Sequence, residues 1–291
     1  MILTNLYIAI LLPLLTNADN SPEAIDHNNE GGDIKLVTNI IKGEPAQQSD
    51  YKFIAQIFYR RDDRVSFKCT GVLITPRLVV TAAHCITDKN RDYVKIQDLR
   101  VSVGKVNLIN VENFNQMIPL ALMGAFNYKN HRQNDLALLN LAEYVYPDEA
   151  TPIKIYDRRI TDDLNVEVAG FGVTVSGSSI PSSILMKTAI DISSSANCST
   201  YNSNWNSNSG PQICQESYSG NDSCQGDSGG PLTTKIDGNM YLVGITNYGT
   251  NKDVTSKIVC GENTIAYYSR LGYFASSIAD ALKVPIGEIT I

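Results

Sequence analysis

From Ile40 onward, apolar and polar residues alternate in short runs. The segments "FIAQIFY" from Phe53, "LRVSV" from Leu99, "VEVAG" from Val166 and "KTAIDI" from Lys187 all follow this pattern. A period of two is that of a strand with one buried face, and Gly, Asn, Asp and Ser punctuate the runs. Many short antiparallel strands are therefore expected, arranged as a sandwich or barrel. One segment has helical spacing instead. In "RLGYFASSIADALKV" from Arg270, residues Leu271, Phe274, Ile278 and Leu282 share a face, and Pro285 lies just beyond. Residues 193–210, rich in Ser and Asn, read as an exposed loop that carries Trp205, the only tryptophan.

Upstream of Ile40 the texture differs. Residues 6–15, "LYIAILLPLL", are a short apolar run, followed by small residues at Thr16 and Ala18. A secretory signal over 1–18 is expected, with cleavage before Asp19, although no Lys or Arg precedes the run. The run is too short for a membrane span, and no later segment qualifies. Residues 19–39 are acidic and polar, with too few large apolar side chains to fold alone.

Composition narrows the function. The 291 residues, 43% hydrophobic and 19% charged, suffice for one large or two modest domains. A net charge of −6 argues against a nucleic-acid partner. The six cysteines are Cys69, Cys85, Cys198, Cys214, Cys224 and Cys260. An even count behind a signal peptide fits three disulfides in an oxidising compartment, with the pairing open. No C-x-x-C spacing occurs and histidine is scarce, so no structural zinc site is expected. No acidic loop suggests calcium.

The candidate chemistry centres on "NDSCQGDSGGPL", residues 221–232. A serine hydroxyl needs a base within hydrogen-bond reach, and the base needs an orienting carboxylate. Three histidines are available. His27 lies in the acidic leader. His131, in "YKNHRQND", reads as a surface side chain. His84, in "VVTAAHC", ends an apolar run beside Cys85. Asp135 leads directly into the apolar "DLALLNL", so partial burial is expected, and a buried carboxylate requires donors. Gly-Asp-Ser-Gly-Gly also matches the α/β-hydrolase elbow, but that fold needs a histidine after the serine, and none follows Ser228. The order here is His84, Asp135, Ser228.

"TAAHC", "NDLALL" and "DSCQGDSGGPL", in that order, resemble the signature segments of the chymotrypsin–trypsin serine endopeptidases, and of the trypsin branch in particular. The resemblance runs from Ile40 to about Leu282. It implies two six-stranded antiparallel β-barrels, about 40–150 and 151–270, then a C-terminal helix at about 271–283. It implies disulfides Cys69–Cys85, Cys198–Cys214 and Cys224–Cys260. It assigns His84 as base, Asp135 as its orienting acid and Ser228 as nucleophile, with the N–H groups of Gly226 and Ser228 as the oxyanion hole. Asp227 would pair with a new amino terminus at Ile40, since "IIKGEPA" resembles the family's mature start. Residues 19–39 would then be a propeptide.

For substrate choice, the resemblance puts Asp222 at the floor of a pocket selecting Arg or Lys. Asn247, Tyr248 and Gly249 would form one wall and Ala266 the other. Asn247 is placed to donate to Asp135, and Gly249 keeps its wall open. Ala266 stands where the family has glycine, and one added methyl crowds the pocket. The link "TNKDVTSKIV" before Cys260 is long and is expected to overhang the cleft mouth. Asn39 precedes Ile40, so a trypsin-like enzyme would not activate itself there. Asn197 heads a sequon and is a candidate glycosylation site.

The expected protein is a secreted, extracellular monomer made as a zymogen, with no cofactor or metal. Its partners would be protein or peptide substrates, an activating protease and protein inhibitors, with no nucleic acid and no membrane. The alternative is a catalytically silent homologue acting as a binding or inhibitory module. A third reading is a hydrolase of small esters using the same triad.

Overall fold

The structure is a computed structural model. It describes residues 40–173 and 178–291, which form one compact unit. The expected signal and propeptide lie outside the described residues. After β1 (Glu44–Pro45) come β2 (Ile54–Arg61), β3 (Arg64–Thr75), β4 (Leu78–Thr81), β5 (Leu99–Val103), β6 (Leu120–Ala125) and β7 (Ala137–Leu141). Then follow β8 (Val166–Gly170), β9 (Met186–Ile190), α1 (Ala196–Tyr201), β10 (Gln212–Ser217), β11 (Pro231–Ile236), β12 (Asn239–Asn251), β13 (Thr264–Arg270) and α2 (Leu271–Leu282). The alternating runs at 99–103 and 166–170 are β5 and β8. Their odd positions bury against the core, as period two requires.

All strand pairs are antiparallel, in two sheets. The first runs β5-β2-β3-β4-β7-β6. Its ends meet where Val101 and Ile118 exchange two backbone hydrogen bonds, of 3.0 and 2.9 Å. The second runs β1-β9-β8-β11-β12-β13-β10. It closes where Ile192 bridges to Gln215, just past β9. This is the expected pair of six-stranded barrels with one addition. β1, which the sequence places in the first barrel, pairs with β9 of the second, helped by a Glu44–Lys187 ion pair at 3.4 Å.

The predicted helix is α2. Leu271, Phe274 and Ile278 are buried and Leu282 is half-buried. The helix follows β13 of the second barrel directly, yet Phe274 packs at a tilt against Phe126 beside β6 of the first, with ring centroids 5.9 Å apart. The helix thereby ties the two barrels together. It stops at Lys283, which takes the left-handed conformation of a helix C-cap.

Residues 193–210 are not the exposed loop their composition suggests. They carry α1, capped by the Ser195 side chain, and Trp205 is buried with Cys198 and Tyr267. The polar side chains order the segment by bonding inward. Asn202 donates to Gln212 Oε1 at 2.7 Å, and the Cys214 N–H donates to Asn208 Oδ1 at 2.9 Å. Asn197 donates its side-chain nitrogen to buried Glu216 at 3.0 Å, so the expected glycan acceptor is already engaged.

Candidate active site

His84 sits in a short helical turn at the end of β4, and Asp135 leads into β7, the neighbour of β4 in the sheet. Strand pairing therefore brings them together. His84 Nδ1 lies 2.8 Å from Asp135 Oδ2, and the His84 backbone N–H donates to Oδ1 at 2.9 Å. The Cys69–Cys85 bridge fastens the turn to β3. Asp135 is fully buried. Burial alone would raise its pKa. The His84 charge and hydrogen bonds from His131 and His84 outweigh it and hold the group below the usual carboxylate range. An ionised Asp135 makes Nδ1 the proton-bearing nitrogen of His84 and leaves Nε2 as the acceptor.

Ser228 lies on the turn before β11. The turn is gripped from both barrels. The Thr70 N–H of β3 donates to the Ser228 carbonyl at 3.0 Å, and the Gly229 N–H donates to Thr246 of β12 at 2.8 Å. Gly229, at φ +77°, has no room for a side chain, because a Cβ there would collide with Thr81 Oγ1. Gly226, at φ +98°, faces Gly172, whose Cα would lie 2.9 Å from an added Cβ. Among the described residues, neither the Gly226 nor the Ser228 N–H donates to a backbone acceptor. His84 and Ser228 line one cavity of about 340 Å³ with Gln225, Asn247, Tyr248 and Gly249.

Two further aspartates are buried close by. Asp227 accepts from the N–H groups of Gly172 and Cys224, both at 2.7 Å. Burial pushes its pKa up to about 7 against the pull of those bonds. Asp222 receives the Gly261 N–H at 2.9 Å and the Thr264 hydroxyl at 2.7 Å on Oδ2, while Oδ1 has no hydrogen-bond partner among the described residues. Burial lifts it, too, to about 7. Asp222 is fully buried and precedes the lining residues Ser223 and Cys224 in the chain, but it does not itself line the cavity. Ile41 forms a bridge with Asp222, and Ile40 is fully buried with φ +47°. No bond joins Ile40 to Asp227 among the described residues, since in the intact chain Ile40 has no free amine.

Three wall residues behave differently from the expectation. Asn247 does not donate to Asp135; it donates to Ser269 Oγ at 2.9 Å, and Ser269 Oγ donates to the Asp135 carbonyl at 3.0 Å. Ser269, unmarked in the sequence, is thus the bridge to the acid. Gly249 does not face an open wall, because the Val259 carbonyl fills the space where its side chain would start. Ala266 is buried opposite Gly249 in the β12–β13 pairing and does not line the cavity. The long link is held in place by Lys252. Its ammonium meets Glu216 at 2.6 Å, and its carbonyl accepts from the Tyr201 hydroxyl at 2.7 Å. Burial would raise Glu216, but bonds from Lys252, Ser195, Asn197 and Tyr218 hold it at about 2. The remaining bridges, Cys198–Cys214 and Cys224–Cys260, brace α1 and the Asp222 loop.

The family model described as Trypsin matches residues 40–271. The chain belongs to the trypsin family. It is 30% identical over 75% of its length to a CLIP domain-containing serine protease B4 of Anopheles gambiae, covering 65% of that protein. It is 28% identical over 79% of its length to the proclotting enzyme of Tachypleus tridentatus, covering 63%. Trypsin-1 of Astacus astacus is 31% identical over 62% of the chain, with 76% of that protein covered. The chain thus spans under two thirds of the two longer relatives. Fold and family agree with the resemblance carried by the three signature segments.

Proposed function

We propose that this trypsin-family chain is a secreted endopeptidase, made as a zymogen, that hydrolyses peptide bonds after Arg or Lys. The observation that carries the reading is the Asp135–His84 pair opening onto the same cavity as Ser228. Ser228 Oγ attacks the scissile carbonyl while His84 Nε2 takes its proton. The Gly226 and Ser228 N–H groups receive the developing oxyanion. Preorganised donors of this kind are worth on the order of 10²–10³ in turnover each. Asp135 stabilises the imidazolium, which then protonates the leaving amine. Water attacks the acyl-enzyme by the reverse route.

Asp222 supports selection of a cationic side chain. A buried carboxylate with an unpartnered oxygen gains most from a charged donor. Ile41's bridge to Asp222 supports activation at Ile40, because it docks the start of the segment on the loop that carries Asp227. Three disulfides support an oxidising, extracellular destination. Activation would need another protease, since Asn39 precedes Ile40.

The test is to mature the chain at Ile40 and offer peptides with Arg, Lys, Phe or Ala before the scissile bond. Cleavage after Arg and Lys, lost in Ser228→Ala, is expected. Ester hydrolysis alone, or no Ser228-dependent cleavage, overturns the reading, the latter in favour of a binding module. Amino-terminal sequencing of the secreted mature form should begin at Ile40.

A further inference from the structure

Proton transfer in the hydrolytic reading needs one imidazole, yet a second stands beside the first. His131 Nδ1 lies 3.5 Å from Asp135 Oδ2, the same oxygen that holds His84 Nδ1 at 2.8 Å. The two rings meet edge to face with centroids 4.8 Å apart. The rings of Tyr128 and Tyr248 lie 6.4 and 6.5 Å from that of His131. The His131 side chain is 54% exposed and lines the cavity, so an ion has a path in and the ring has freedom to adjust.

One donor atom from each of His84, His131 and Asp135 lies within 4.8 Å of the others. Two imidazole nitrogens and a carboxylate oxygen, with a fourth position open to water, are a common donor set for zinc. Zinc–ligand distances of about 2.0–2.2 Å in a tetrahedron put the donors about 3.3–3.6 Å apart. The 3.5 Å contact of His131 to Asp135 Oδ2 falls in that range, and the 2.8 Å contact of His84 has to open by about half an ångström.

We propose that His84, His131 and Asp135 form an inhibitory zinc site. The ion takes the Nδ1 lone pair of His84, the corresponding nitrogen of His131 and Oδ2 of Asp135. The Nδ1 protons of His84 and His131 then move to the Nε2 atom of each ring. With its nitrogen pair inverted, His84 has no acceptor for the Ser228 proton. The inhibitory half of this inference rests on the triad reading above; the binding half does not.

Calorimetric titration of the full chain with zinc chloride tests binding. One ion per chain at micromolar concentration is expected, with affinity reduced at least about tenfold in His131→Gln and His131→Asn. Thermal melts of both variants show whether the fold is kept. On the matured chain, zinc should suppress peptide hydrolysis and EDTA should restore it. The zinc concentration for half-inhibition should rise at least about tenfold in both variants, each compared with its own zinc-free rate. No binding, equal binding by variant and parent, or full activity at saturating zinc overturns the proposal. A chain with no zinc-free hydrolysis overturns the triad reading, and the calorimetric titration still decides the site.

Discussion

Asp135 in the first barrel and the pair Asp222 and Asp227 in the second are all fully buried, yet their charges are treated in opposite ways. Asp135 is held below the usual carboxylate range because an imidazole answers its charge. Asp222 and Asp227 have neutral donors alone, and burial carries both to about 7. Equal burial therefore does not mean equal electrostatics; the partner decides. The first barrel's acid is satisfied in the intact chain. The second barrel's acids lack a cation, which the proposed function supplies from the substrate for Asp222 and from a new amino terminus for Asp227.

The largest test of that contrast is Asp135→Asn. The amide keeps the shape but favours the wrong His84 tautomer, so turnover of the matured chain should fall on the order of 10⁴-fold, the loss seen for Ser-His-Asp triads. Unchanged turnover would remove Asp135 from the mechanism. Next in size is Asp222→Ser. Taking away one partner of a buried ion pair costs about 3–5 kcal/mol, so kcat/KM for Arg and Lys peptides should drop on the order of 10²–10⁴-fold. The same variant should melt higher than the parent at pH 8, because an uncompensated buried charge has gone.

The third test is pH. A carboxylate raised to about 7 in the folded chain favours folding while protonated. That contribution is complete below its unfolded value near 4 and is lost as the pH climbs through about 7. The intact chain, as Ser228→Ala to prevent proteolysis, should therefore melt higher at pH 5 than at pH 8. Maturation at Ile40 should shrink the drop, because an ammonium beside Asp227 reverses its shift. Equal drops before and after maturation would dismiss the pairing. The smallest effect is expected of Ala266→Gly, which removes one buried methyl beside the pocket wall. It should change the Arg-to-Lys ratio of kcat/KM by about tenfold or less.

Strands and helix were legible where burial is decided by a local period. The runs at 99–103 and 166–170 and the α2 face need no partner to be read. The segment 193–210 was not legible, because its order comes from the Cys198–Cys214 bridge and from side-chain amides that bond to distant groups. His84, Asp135 and Ser228 stood out through their flanking residues. His131 did not, since polar neighbours usually mean solvent. Its position four residues before Asp135 was the available signal, but only the path of the loop turns that spacing into contact. Ser269 lay inside an apolar strand with nothing to mark it.

Ile40 gives the intact chain one more property. A β-branched residue at φ +47° is costly, about 1–3 kcal/mol. A residue at a chain end has no φ. Hydrolysis of the bond before Ile40 would cancel that cost, and resealing it would restore the strained torsion. On the proposed activation at Ile40, the torsion tilts the junction toward the cut form by about 1–3 kcal/mol.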